Sequence, residues 1–146
     1  MQYTKGQIKR IILVRFDDGD VLLDEVKKLA KKERISAGCM VLIGALRKGH
    51  IVTGPKKPKI PPMPHWEKFK DAWEVAGIGT IFKGKKEYEV HIHGALGKGK
   101  GSLTGCIRKD SSVFLLIEAV IFEFKGIKAI KDLNPETGLN LVRFIG

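Results

Sequence analysis

Residues 90–108, VHIHGALGKGKGSLTGCIR, constrain the fold more than any other stretch of the chain. Side chains on an extended strand alternate between two faces, so Val90, Ile92 and Leu96 project to one side and His91 and His93 to the other. The run GKGKGS turns the chain, and in the returning segment Leu103 and Ile107 alternate with Thr104, Cys106 and Arg108. Matching apolar to apolar fixes the parity of the pairing. A hairpin that sets Leu96 against Leu103 puts His93 opposite Cys106 and His91 opposite Arg108. Directly opposed Cβ atoms lie about 4.5–5.5 Å apart, so three potential metal ligands converge on one face.

The rest of the chain supplies a sheet for that hairpin. Residues 7–16 (QIKRIILVRF) are β-branched and aromatic and end at the turn former DDGD, which predicts a strand. In DVLLDEVKKLAKKER, Val21, Leu22, Val26 and Leu29 recur at helical spacing, with acids early and lysines late, and Asp20 is placed to cap the helix. Segments 38–53, 75–82, 88–96, 103–108 and 113–124 read as strands, the first bending near Ile43-Gly44-Ala45. The expectation is an α+β fold, a mostly antiparallel β-sheet packed with one main helix, in a single domain spanning residues 1–146. Five of the six prolines fall in TGPKKPKIPPMPHWEKFK, which predicts a Pro/Lys-rich surface loop over 54–72, with Trp66, Phe69 and Trp73 available to pin it.

Charge and cysteine usage narrow the class of partner and compartment. Twenty-seven Lys+Arg against 16 Asp+Glu give a net charge of +11, which favours anionic partners. Only six of those cations are Arg, the residue suited to bidentate reading of bases. A lysine-rich soluble surface explains the same balance. The apolar run 11–14 is too short for a signal core or a membrane span, which points to the cytoplasm, and two cysteines are too few for a disulfide framework. Cys39, within SAGCMVLIGAL, is expected in the core.

Imidazole and thiolate together suit zinc or a similar divalent metal, and His91, His93 and Cys106 as ligands would leave a fourth position open. Arg108 on the same face can hold an anionic group beside the ion. The same spacing also arises where polar residues simply line an exposed sheet face, so from the residues alone both readings stand. His50 and His65 lie elsewhere and read as ordinary surface histidines. Glu118, in VFLLIEAVIFEF, is expected to be interior and therefore paired, with Arg47 as its partner, or to orient a ligand histidine. The run GALGKGKG lacks the Ser/Thr of a phosphate-binding loop and precedes a strand, and no Gly-x-Ser-x-Gly elbow occurs. No catalytic residue is assigned.

The succession GDVLLDEVKKLA, AGCMVLIGALR, GIGT at 77–80, HIHGALGKGKGSLTGCI, LIEAVIFEF and DLNPETGLNLV resembles the plant-and-prokaryote-conserved (PPC) domain family over nearly the whole chain. The resemblance implies an antiparallel sheet with a helix and a homotrimer. In many prokaryotic members an H-x-H followed by G-G-H binds a metal, often zinc. Those positions fall on His91, His93 and, in this chain, Cys106, a departure that either keeps the site with altered affinity or leaves Cys106 as packing. Plant members carry an AT-hook, and no Arg-Gly-Arg-Pro occurs here, so DNA binding is expected to be weak and non-specific. Three functions follow for comparison: a trimeric metal-containing regulatory protein associated with DNA, a small zinc-dependent enzyme, and a metal-free binder of a small anionic ligand.

Overall fold

The computed structural model describes residues 1–145. In chain order they form β1 (Gln7–Asp17), α1 (Leu22–Glu33), β2 (Ala37–Pro55), β3 (Pro64–Phe69), β4 (Trp73–Lys83), β5 (Tyr88–Lys98), β6 (Gly101–Ile107), β7 (Ser112–Lys125), β8 (Ala129–Asn134) and β9 (Leu139–Phe144). Seven strands make one antiparallel sheet in the order β1-β7-β2-β4-β5-β6, with β3 added to β2, while β8 and β9 form a separate hairpin. The mostly antiparallel sheet and its single helix are those expected from the sequence. No helix among the described residues is long and apolar enough to cross a membrane.

The bend in β2 organises everything that follows. Gly44 sits at φ +140, and the pairing with β7 slips between Gly44 and Ala45. A Cβ at Gly44 would run into the Leu116 carbonyl and lie 2.8 Å from the Ile117 Cα, so only glycine fits this bulge. The first half of β2 pairs with β7 and β4, and beyond the bend Ile51 and Val52 pair with Ile107 and Cys106 of β6. Strands β2, β4, β5 and β6 therefore close on one another. Gly105 makes the closure possible, since a side chain there would collide with the Val52 carbonyl.

Helix α1 covers one face of the sheet. Leu22, Val26 and Ala30 are fully buried and join Met40, Leu42, Ile51, Ile92, Leu96 and Ile107 in one core. The cap differs from expectation: Val21 is the N-cap without a side-chain bond, and the Asp20 carboxylate instead accepts from the Asp17 N–H at 2.9 Å. Asp20 thus closes the turn after β1 rather than the helix start.

Three further expectations are corrected. Residues 64–69, assigned to the surface loop 54–72, form β3, which pairs only with β2. An edge strand tolerates Pro64 at its first position, because a missing donor there costs no central ladder bond. Its end residue Phe69 is buried against Trp73, with ring centroids 6.5 Å apart, whereas Trp66 stays exposed. Cys39 is half-buried on the sheet face opposite the helix, not in the core.

Glu118 is the third. It is exposed and makes no salt bridge among the described residues, and Arg47 instead holds Asp18 through a guanidinium nitrogen at 2.6 Å while standing over Phe114. The buried carboxylate of β7 is Glu123, which binds Lys9 at 2.9 Å and also Arg10. Parity explains the exchange: Ile117, Ala119, Ile121 and Glu123 share the helix-facing side, and Leu116, Glu118 and Val120 point the other way.

Candidate metal centre

The hairpin register is the one that apolar alternation requires, with Leu96 opposite Leu103 and His93 opposite Cys106. The ladder ends at Ile92–Ile107, so Arg108 is not paired with His91, and its N–H turns to the His50 carbonyl at 2.8 Å. The cause is the β2 closure, which draws the end of β6 away from β5. Cys106 thereby sits between His93 of β5 and Val52 of β2, and is buried at 4% exposure.

One ligand atom from each of His91, His93 and Cys106 lies within 4.8 Å of the others. Tetrahedral bonds of about 2.0–2.3 Å to nitrogen and sulfur place donors about 3.3–3.8 Å apart, so side-chain rotation of about an ångström closes the set. The two imidazoles meet edge to face, with centroids 4.9 Å apart and planes at 79°, and both histidines are exposed. This donor set fits a borderline divalent ion such as zinc.

Electrostatics prepare the histidine and hold back the thiol. The pKa of His91 is pushed down to about 4, first by desolvation, then by the positive fields of Lys131, His93 and Arg108. His91 is therefore neutral at neutral pH, as a metal ligand must be. Burial pushes the Cys106 thiol up, against opposing pulls from Arg108 and Lys131. Metal binding at Cys106 would release its proton.

Folded His91 holds fewer protons than unfolded His91 between pH 6.5 and about 4, so stability is full above that window and lost as pH falls through it. Thermal melts of chelator-treated protein from pH 7 to 4 should show this decline. His91→Gln should flatten it, and parallel curves for the two proteins would contradict the assignment.

A cavity of about 620 Å³ opens over the cluster, walled by Val52, Pro55, Pro62, Pro64, Trp66, Thr104 and Leu139 with Arg108. The Arg108 guanidinium stands 6.0 Å from the Trp66 ring centroid, and its Nε is buried without a hydrogen-bond partner. Arg47 and Glu118 line none of it. His50 and His65 are also outside the cluster, His50 facing Asp110 at 3.8 Å and His65 bonded to Thr53 at 3.2 Å.

The place of Trp66 in the cavity wall is not apparent from the sequence, because the proline-rich segment predicts a loop. Nor is that of Lys131, which is 7% exposed on β8 beside the cluster. A period-2 pattern, Ala129 and Lys131 facing inward, was the available signal, but a lysine on a short strand ordinarily faces water.

Solved structures share this fold. Among curated proteins no relative matches the chain. A PPC protein of Pyrococcus horikoshii is similar at 25% identity with a TM-score of 0.85, over 100% of this chain and 99% of that one. A metal-containing protein of Archaeoglobus fulgidus shares the fold at 20% identity and a TM-score of 0.85, with both chains fully covered. A candidate DNA-binding protein of Ralstonia eutropha JMP134 shares it at 17% identity and a TM-score of 0.76, over 91% of this chain and 90% of that one. The family model described as the Plants and Prokaryotes Conserved (PCC) domain matches residues 3–125, from β1 through the ligand hairpin to the end of β7, and the chain belongs to that family.

Proposed function

We propose that this protein is a divalent-metal-binding assembly module: His91, His93 and Cys106 hold a zinc-like ion, and three chains associate through the bare face of the sheet. The convergence of three donor atoms within 4.8 Å carries the metal reading. The metal-containing Archaeoglobus relative, which shares the fold, supports it. A bound ion would supply a Lewis-acidic centre with one open position. The protein is taken to work in the cytoplasm, where reducing conditions keep the free Cys106 thiol available to the metal. Protein purified without a histidine tag, loaded with zinc and dialysed, should retain one zinc per chain by elemental analysis. A metal-free result would sink the reading.

Contact with DNA is a second, weaker activity in this proposal, supported by the +11 charge and by lysines on the solvent face of α1. Two of them are already engaged, Lys27 with Glu87 at 3.3 Å and Lys28 with Glu25 at 2.5 Å. Among the described residues no recognition helix has an Arg-rich face, so binding is to phosphates. Affinity for unrelated duplexes of equal length should be similar and fall with a log–log salt slope near about −0.9 per neutralised phosphate. A preference for one duplex that survives near-physiological salt would overturn this.

A further inference from the structure

Positive charge gathers around the candidate metal centre with too little negative charge to balance it. Arg108 makes no salt bridge among the described residues, and its Nε is buried and unpartnered. Lys131 is nearly fully buried and likewise makes no salt bridge there, with Glu89 the one carboxylate that acts on it. No acidic side chain lines the cavity. Arg108 is half-buried in the cavity wall, and Lys131, buried on β8, acts on His91 and Cys106 from outside the lining. A buried guanidinium nitrogen without a partner is costly, so the wall that holds it favours an anion. A divalent ion on His91, His93 and Cys106 would sharpen the imbalance, because one thiolate offsets only part of its charge.

The remaining walls define the rest of the ligand. Trp66, Pro55, Pro62, Val52 and Leu139 are apolar, and the cavity of about 620 Å³ is large enough for a small organic molecule. Leu139 and Lys131 come from the β8–β9 hairpin, which lies beyond the residues matched by the family model. The hairpin thus completes both the apolar wall and the positive field.

We propose that this cavity binds a small organic anion, a carboxylate or phosphate ester with a flat apolar body. Arg108, the cation in the cavity wall, attracts its head toward the open metal position, with Lys131 adding to the positive field, and its body lies against Trp66 and the proline wall. The location of the head rests on the metal reading above; the cavity, its cation and its apolar wall do not.

The test is calorimetric titration of zinc-loaded and chelator-treated protein with benzoate, with phenyl phosphate, and with neutral benzamide. Either anion should bind saturably, and benzamide should bind about tenfold more weakly or not at all. Arg108→Met, which removes the charge of the wall and keeps an unbranched stem, should weaken the anion about tenfold while circular dichroism stays unchanged, and Trp66→Ala should weaken it independently. Equal binding of benzamide, binding unaffected by Arg108→Met, or no anion binding to either form would overturn the proposal. If the protein retains no zinc but the chelator-treated form binds benzoate with these dependences, the metal reading fails and the anion site stands. In protein that does load, cobalt in place of zinc should change its visible spectrum on adding benzoate, and an unchanged spectrum would remove the head from the metal.

Discussion

Substituting His93 by Ala should take zinc retention from one ion per chain to none under dialysis that leaves the wild type loaded. His93 is the central donor, since it shares strand β5 with His91 and stands directly opposite Cys106. Its loss leaves two donors, too few to compete with water and buffer for a borderline ion. The change should cost the fold little, because His93 is exposed and pairs through its backbone with Ile78 and Cys106. Circular dichroism should therefore match the wild type while elemental analysis does not. Full zinc retention by His93→Ala would show that the ion, if held, is held elsewhere.

That prediction was accessible from the sequence because strand parity is a strict rule. Leu96, Leu103 and Ile107 could satisfy the core in only one register, and that register alone sets His93 against Cys106. Helix α1 was equally plain from Val21, Leu22, Val26 and Leu29, of which Leu22 and Val26 are buried together with Ala30. What the local pattern could not convey was long-range. The pairing of β6 with the far half of β2 depends on a bend at Gly44, and it moves Arg108 out of the ladder toward Trp66. Strand β3 was hidden by prolines that only an edge accepts. Glu118 was misplaced because β7 is apolar on both faces, so its sequence does not tell which side meets the helix.

The two-sided apolarity of β7 points to assembly. On the face away from α1, a cross-sheet row runs from Leu13 through Val120, Val41 and Ile78 to His93. In the next row Ile43 stands opposite Glu118. Leu13 is 78% exposed, Ile43 60% and Ile78 61%. A contiguous apolar sheet face of this kind is the surface we propose as the contact between chains.

The family resemblance implies a trimer, and a head-to-tail contact that closes after three copies would cover the face on every chain. Light scattering of the wild type should give three times the 16.2 kDa chain mass. Leu13→Glu combined with Ile43→Glu should reduce it to the monomer, since each change forces a carboxylate into an apolar contact, and the Ile43 site already faces Glu118. Neither side chain belongs to the core of the isolated chain, so the fold should survive. Zinc should remain at one per chain in that monomer, because all three donors lie on a single hairpin. A wild-type monomer or dimer mass, or a trimer that persists in the double variant, would show that this face is not the trimer contact.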